Sequence, residues 1–186
     1  MKIYLASRSP RRRQLLEQTG VDYEPVDADV DETWQPDELP QDYVQRLALE
    51  KARAGFAVSG QGPVLGADTA VVLDNDILGK AESIEEASSM LARLSGRTHE
   101  VLSAVAIVNH ETRVMTNVSR VAFRPLTAPE IEDYCNTGEP LGKAGGYAIQ
   151  GRAAAFIVRL EGSYSGVMGL PLFETHLLLE KLQRHP

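Results

Sequence analysis

Cysteine is almost absent from this sequence of 186 residues, because Cys135 is the only one. A single cysteine cannot form an intrachain disulfide or a cysteine-rich zinc site, so the cytoplasm is the predicted compartment. Long apolar runs are missing too: the longest, residues 104–108 and 153–158, fall far short of the roughly 18 residues that a membrane-spanning helix needs. Residues 1–6 form a short apolar stretch that meets arginines at once, which is not the pattern of a signal peptide. We therefore expect no membrane partner.

Positive charge is scarce. Lysine and arginine together number 19, against 26 aspartates and glutamates, which gives a net charge of -7. A negative protein repels nucleic acid at long range, so no polynucleotide partner is expected. The basic residues are nevertheless concentrated in one place, residues 8–13, and this concentration is the first indication of a specific site.

Hydrophobic spacing and turn residues predict strands that alternate with helices. The predicted strands are residues 2–6, 23–26, 63–73, 100–109, 114–123 and 153–160. The predicted helices are residues 10–18, 42–57, 84–94, 130–136 and 172–183. Such alternation is typical of a sheet covered by helices, and the long central pair of strands indicates a mixed sheet. We predict an α/β fold in one domain, residues 1–186, with a mixed twisted sheet flanked by helices and two lobes around a central cleft.

The basic segment has the sequence LASRSPRRR, residues 5–13. Ser9 is a good helix N-cap and Pro10 suits the first helical position, so the following arginines occupy the first helical turn. Cations are unfavourable there, since the helix dipole is positive at that end. The arrangement makes sense if phosphate binds to the free N–H groups and the arginines. The alternative is a solvated basic turn on an acidic protein.

Asp68 interrupts a strand that is otherwise apolar on both faces. A buried lone carboxylate is costly, so such a group is paired, bound to metal or functional. Gly66 nearby would let a ligand approach the backbone closely. The alternative is a structural aspartate that caps a β-bulge.

Two further segments are ambiguous by themselves. An acidic cluster, Asp27, Asp29, Asp31 and Glu32, has a composition that can hold magnesium beside a phosphate, although such a run is more often a solvated loop. The glycine-rich segment 142–151 ends near Gln150, whose amide offers one donor group and one acceptor, as base recognition requires. A flexible loop explains that segment equally well. From the residues alone, the prediction is a phosphate-binding α/β protein, most simply an enzyme.

The sequence resembles the Maf family of nucleotide pyrophosphatases over nearly its whole length. The resemblance is carried by LASRSPRR (5–12), EKA (50–52), GADT (66–69), LSGRTH (94–99), KAGGYAIQG (143–151), GSY (162–164) and VMGLP (167–171). It implies an elongated, two-lobed fold like that of inosine triphosphatases, a homodimer, and hydrolysis between the alpha and beta phosphates with a divalent metal, Mg or Mn.

The resemblance also implies roles for individual residues. The general base falls on Asp68, which with Glu32 is also a metal position. The positions that contact substrate fall on Ser7, Arg11, Arg12, Lys51 and Lys80. Arg11, Thr69 and Gln150 match the residues that mark the branch acting on dTTP and UTP, rather than the branch acting on 7-methyl-GTP. Two non-enzymatic hypotheses stay open at this stage: a nucleotide-binding regulator of septum formation, which would not need Asp68, and a polyanion-binding domain, which the acidic net charge disfavours.

Overall fold

The computed structural model describes residues 2–184. Its strands are β1 (Lys2–Ala6), β2 (Asp22–Pro25), β3 (Val64–Leu73), β4 (Asp76–Leu78), β5 (Thr98–Val108), β6 (Thr112–Phe123) and β7 (Ile157–Glu161). Its helices are α1 (Pro10–Glu17), α2 (Pro40–Ser59), α3 (Ile84–Leu94), α4 (Ala128–Cys135), α5 (Tyr164–Met168) and α6 (Leu172–Arg184), with a short 3-10 helix at Arg152–Phe156.

The strands of the described chain form one mixed sheet in the order β2-β1-β3-β5-β6-β7, with β4 beside the end of β3. β1 runs parallel to β2 and β3, while the pairs from β3 through β5 and β6 to β7 are antiparallel. The predicted mixed α/β sheet flanked by helices is thus confirmed.

One edge of β3 is covered by two different strands, with an interval between them. β1 pairs with β3 as far as Ala6 opposite Gly66, whereas β4 begins to pair only at Val71. In the described structure, the stretch between these two pairings has no strand on that side. The interval lies at the carboxyl end of β1, where neighbouring connections diverge, and open α/β sheets bind their ligands at such points.

The two faces of β3 pack against different parts of the core. The face that carries Ala70 and Val72 packs under α2 in one continuous cluster, together with Leu102 and Ala104 of β5. The opposite face is divided between two clusters. One contains α1 and α6 residues with Leu65 and Ala67 of β3, and the other contains α3 and α4 residues with Val71 and Leu73 of β3. Thr69 lies between them, so the predicted cleft between two lobes corresponds to this division of the core.

The prediction of a strand over residues 153–160 is wrong in its first half. Arg152–Phe156 forms the 3-10 helix, and β7 begins only at Ile157. β6 ends at Phe123, which pairs with Ile157, so earlier residues have no strand to pair with. Their backbone closes local hydrogen bonds instead, such as Ala154 N to the carbonyl of Gly151 at 3.1 Å. The short elements β4 and α5 were not predicted.

Candidate active site

The N-terminal end of α1 carries the arginines, as the sequence indicates, but its cap differs from the prediction. Ser9 has no side-chain capping bond; its backbone N–H instead donates to Ser7 Oγ at 3.2 Å. Ser7 therefore closes the turn as an acceptor and keeps its hydroxyl hydrogen for a ligand. Arg13 turns away from the cleft, and its Nη2 donates to the carbonyl of Ser7 at 3.4 Å.

Arg11 and Arg12 are held by carbonyls at the end of α5. Arg11 Nε donates to the carbonyl of Met168 at 3.3 Å, and Arg12 Nε donates to that of Gly169 at 2.7 Å. Each arginine is thus fixed through Nε, while within the described structure no bond engages its Nη groups. Paired Nη donors are the groups with which arginine grips phosphate.

The electrostatics of this wall favour the binding of an anion. Burial lowers the pKa of Arg12, although nearby Asp68 and Glu32 act to raise it. Burial and the neighbouring Arg12 lower the pKa of Arg11. Burial and Arg11 likewise lower the pKa of Lys143, whose ammonium also donates to the carbonyl of Glu139. Three partly desolvated cations therefore crowd one wall, and a bound anion would relieve their repulsion.

Asp68 is paired, which is the arrangement that its buried position requires. Lys51 Nζ donates to Asp68 Oδ1 at 2.7 Å, and both residues are only 7% exposed. Lys51 Nζ also lies 2.6 Å from Glu32 Oε1, and the other oxygen of Glu32 lies 2.6 Å from Lys80 Nζ. The result is a chain of alternating charges, Asp68–Lys51–Glu32–Lys80, along the floor and rim of the cleft.

Glu32 is ionised throughout the neutral and mildly acidic range. Burial acts to raise its pKa, but the hydrogen bonds from Lys51 and Lys80 outweigh burial and lower the pKa to about 2. The other members of the acidic cluster lie elsewhere. Asp31 accepts from the Thr33 hydroxyl at 2.6 Å and Asp29 lies 4.0 Å from Arg8, both at the surface. Asp27, Asp29 and Asp31 are all exposed, so the solvated-loop interpretation holds for these three.

Gly66 has a different purpose from the one predicted. A Cβ at this position would lie 2.3 Å from the carbonyl oxygen of Ala48 and 2.6 Å from the amide nitrogen of Ala52. It is α2, not a ligand, that approaches the backbone here. This close packing brings Lys51 against Asp68. The bulge hypothesis for Asp68 is wrong, because β3 and β5 keep an unbroken register from Val64↔Val108 to Val72↔Glu100.

The glycine-rich segment is a packed wall rather than a flexible loop. Gly145 and Gly146 have φ values of 68° and are buried, and a Cβ on Gly145 would lie 2.9 Å from Val71 Cγ1. Tyr147 is buried, and its hydroxyl lies 2.8 Å from His99 Nε2. The tight packing ends at Gln150, which is exposed at the mouth of the cleft.

These side chains line one cleft of about 380 Å³, a volume in the range of small-ligand sites. The residues to which the resemblance gives roles all meet in it: Ser7, Arg11, Arg12, Glu32, Lys51, Asp68, Thr69, Lys80 and Gln150. Sequence reasoning did not single out Lys143 and Tyr147, which also line it, although both stand in the quoted glycine-rich motif. Asp68 and Thr69 are neighbours on a strand and point to opposite faces. Both reach the cleft because it opens across the unpaired interval of β3.

The residues present fit a divalent cation that is shared with a substrate. Asp68 and Glu32 each place a carboxylate oxygen within 2.7 Å of the same ammonium, Lys51 Nζ, so both can contribute to one small cation position. Within residues 2–184, no group of three or more histidine, cysteine, aspartate or glutamate side chains could hold a metal by itself. Magnesium commonly uses one or two carboxylates and takes its remaining ligands from phosphates and water.

An α/β sheet whose cleft combines a helix N-terminus, fixed arginines and a buried aspartate defines a phosphate-binding protein of the enzyme class. The chain belongs to the Maf family: the model of that family, described as Maf-like protein, matches residues 2–182. Within residues 2–184, no helix has the length and apolar character to cross a membrane.

Individual relatives support this membership. The chain is 55% identical to the dTTP/UTP pyrophosphatase of Alkalilimnicola ehrlichii, over 98% of this chain and 96% of that protein. It is 51% identical to the nucleoside triphosphate pyrophosphatase of Xylella fastidiosa strain M23, over 95% of this chain and 96% of that one. Among solved structures, the Staphylococcus aureus Ham1 protein shares the fold with a TM-score of 0.50 and 17% identity, over 66% of this chain and 72% of that one.

Proposed function

We propose that this protein hydrolyses dTTP and UTP to the nucleoside monophosphate and pyrophosphate. The observation that carries the proposal is the buried Asp68–Lys51 pair beside the free Nη groups of Arg11 and Arg12, in a cleft of nucleotide size. The names of relatives at 50% identity or more, such as that of Alkalilimnicola ehrlichii, support the choice of substrates.

In the proposed reaction, a water attacks the alpha phosphorus and its proton passes to the Asp68 carboxylate. The bond between the alpha phosphorus and the oxygen that bridges to the beta phosphorus breaks, and pyrophosphate leaves. Lys51 holds Asp68 in place. Its ammonium stays beside the Asp68 carboxylate while that group takes up the proton and loses its negative charge. Arg11, Arg12 and Lys80 bind the phosphate chain and offset the negative charge that builds on the transferring group and on pyrophosphate. The Ser7 hydroxyl and the free N–H groups of α1 supply further phosphate donors.

A divalent cation, magnesium or manganese, would be held by Glu32 and Asp68 together with the phosphates of the substrate. When bound, it supplies charge neutralisation and lowers the pKa of the attacking water. Lys51 stands between the two carboxylates. Its ammonium keeps them close together in the free protein, where they would otherwise repel each other.

Base selection is assigned to Thr69 and Gln150. The edge of thymine or uracil presents an acceptor, a donor and an acceptor, and a primary amide can satisfy two of these atoms at once. A site built to hydrogen-bond one edge rejects another because its own polar groups are left unpaired.

The homodimer and the cytoplasmic location stay predictions, and sedimentation of the purified chain tests the first.

A panel of nucleoside triphosphates with magnesium or with manganese tests the proposal, with pyrophosphate and orthophosphate measured separately. We expect pyrophosphate as the product and the highest kcat/KM for dTTP and UTP. Orthophosphate with a nucleoside diphosphate would mean that a different bond is cut. A higher kcat/KM for purine triphosphates or 7-methyl-GTP would contradict the substrate assignment while leaving the bond assignment intact.

A further inference from the structure

Thr69 has a hydrogen-bond partner that the reaction does not require. It is the cross-strand neighbour of Ser103 on β5, and their hydroxyl oxygens lie 2.8 Å apart. Ser103 is 1% exposed and stands within residues 101–108 of β5, a run that is otherwise buried and apolar. Its hydroxyl also lies 2.6 Å from the carbonyl oxygen of Gly166 in α5. The three groups form a short relay from α5 to the cleft.

The hydrogens in this relay can be counted. Each hydroxyl has one hydrogen to donate, and the carbonyl of Gly166 can only accept. The Ser103 hydrogen therefore goes to Gly166, and only its lone pairs face Thr69. The 2.8 Å contact then requires the Thr69 hydrogen to point at Ser103. Thr69 Oγ1 therefore presents a lone pair, and no hydrogen, to the cleft.

We infer that Ser103 fixes Thr69 as a hydrogen-bond acceptor, and that Thr69 in this state selects a base with an N–H group at ring position 3. Ser103 is a positioning residue, since it acts through Thr69. The inference rests on the proposed function and names the atom by which the same site chooses its substrate. Uracil and thymine carry a hydrogen on this nitrogen, whereas cytosine presents a lone pair there, which would face the lone pair of Thr69. An unrestrained hydroxyl would rotate and donate to cytosine.

The test is the ratio of kcat/KM for UTP to kcat/KM for CTP in wild type and in Ser103→Ala. Alanine removes the acceptor that binds the Thr69 hydrogen, so the Thr69 hydroxyl becomes free to donate. We expect the ratio to fall by about tenfold or more, through a rise in relative use of CTP, because the wrong edge no longer leaves polar groups unpaired. Both substrates are measured on one preparation, so partial loss of folded protein cancels from the ratio.

Ser119→Ala is the matched control. Ser119 is also a 1% exposed serine, on β6 next to β5. Its Oγ accepts from the backbone N–H of Ser163, the residue just before α5, at 2.9 Å. It therefore anchors the same segment but makes no contact with Thr69 among its hydrogen bonds. We expect Ser119→Ala to keep the wild-type ratio of UTP to CTP.

Thr69→Val provides the second arm, because it removes the hydroxyl and keeps the shape. In that background Ser103→Ala should change the ratio no further, since valine has no hydroxyl hydrogen for Ser103 to hold. An unchanged ratio in Ser103→Ala alone, or an equal change with valine at position 69, would overturn the inference. Either result would leave the pyrophosphatase proposal standing if wild type still releases pyrophosphate from UTP. A wild type that cleaves no pyrimidine triphosphate would overturn both.

Discussion

Lys51 links the two carboxylates of the cleft, Asp68 and Glu32. Its ammonium contacts Asp68 at 2.7 Å and Glu32 at 2.6 Å, and it is almost completely buried. Removing one partner of an ion pair as buried as this strongly destabilises a protein, because the other charge is left buried and unpaired. Because Lys51 contacts two carboxylates, it keeps one partner when the other is neutralised. We therefore expect the protein to stay folded when the charge of Asp68 is removed by mutation.

Asp68→Asn should nearly abolish turnover while the protein stays folded. The side chain keeps its size and loses its basicity, and Lys51 keeps Glu32. Loss of a general base lowers a rate by about 10²–10⁴. Pyrophosphate release from dTTP, with circular dichroism of the same sample, measures both effects. Asp76→Asn is the control, since Asp76 is a half-exposed partner of Arg93 at 2.6 Å, away from the cleft lining. A folded Asp68→Asn protein within a few-fold of wild-type activity would make Asp68 a structural residue.

Arg11→Ala and Arg12→Ala should both lower activity, but they should affect stability differently. Removal of a cation from the start of α1 stabilises a helix by about 0.3–1 kcal/mol. Arg12 also donates to Gly169 at 2.7 Å, and a hydrogen bond from a charged group contributes about 1.5–3 kcal/mol. We therefore expect Arg12→Ala to be destabilising. The sequence by itself predicts a small gain for both variants.

The corresponding bond of Arg11 is 3.3 Å long, so Arg11→Ala should be neutral or slightly stabilising. Urea unfolding curves of the two variants measure the difference. Equal losses of stability, with activity unchanged in both, would mean that these arginines serve only to hold α5.

At the scale of secondary-structure elements, the contact between α2 and β3 decides where Lys51 lies. Gly66 has no Cβ to separate them, and Ala48 and Ala52 of α2 touch its backbone. α5 has a comparable role on the other wall, since the carbonyls of Gly166, Met168 and Gly169 at or just after it bind Ser103, Arg11 and Arg12. α5 has no charged residue of its own and positions Arg11 and Arg12 of α1, whereas α2 positions its own Lys51 against Asp68.

Gly66→Ala should therefore reduce activity by more than it reduces the amount of folded protein. The added methyl meets backbone atoms at 2.3 and 2.6 Å, so α2 must shift, at a cost of about 1–3 kcal/mol, and Lys51 moves with it. Thermal unfolding and kcat for dTTP, compared at a temperature where the variant is fully folded, separate the two effects. Gly79→Ala is the control because a Cβ there meets nothing within 4 Å. A stable Gly66→Ala protein with normal kcat would contradict this role for the helix contact.

At the scale of the whole molecule, the lobe that packs α3 and α4 against the sheet contains a buried titratable group, His99. It is 2% exposed, and burial lowers its pKa from 6.5 to about 4. Above pH 6.5 His99 is neutral in both the folded and the unfolded chain. Between pH 6.5 and about 4 the unfolded chain binds the proton and the folded chain does not. Falling pH therefore favours unfolding in this window, by up to about 1.4 kcal/mol per pH unit for one proton.

His99→Gln should flatten the decline in the free energy of unfolding between pH 6.5 and 4.5, whatever its effect at pH 7. Urea midpoints over this range, with wild type and variant compared at each pH, give the slopes. His110→Gln, at an exposed position, should keep the wild-type slope. Folding lowers the pKa of Glu32 from 4.5 to about 2, so its contribution is lost as the pH falls from about 4.5 to 2, and it cancels between wild type and variant at each pH. Identical slopes in wild type and His99→Gln would contradict a neutral buried histidine.

The local sequence determined much of this protein. The spacing of apolar residues predicted most helices and strands, because that spacing sets which face of an element is buried. Ile84–Leu94, for example, matches its predicted range. The arginines after Pro10 indicated an anion at a helix start, since a cation is unfavourable there. A carboxylate inside an apolar strand singled out Asp68, since such a group must be paired or functional. A serine inside the apolar run of residues 101–108 in β5 gives the same kind of signal, and Ser103 could have been found by it.

Only the tertiary structure decided what those residues meet. Lys51, Lys80 and Glu32 are ordinary surface residue types by sequence, and they become a site because α2 packs closely on Gly66 and because the chain near Glu32 passes over the cleft. The interval between β1 and β4 lets Asp68 and Thr69, which point to opposite faces of β3, open on one cleft. The carbonyls that orient Arg11 and Arg12 lie 157 residues away along the chain. Contacts at such separations follow from sheet register and helix packing, which no local pattern specifies.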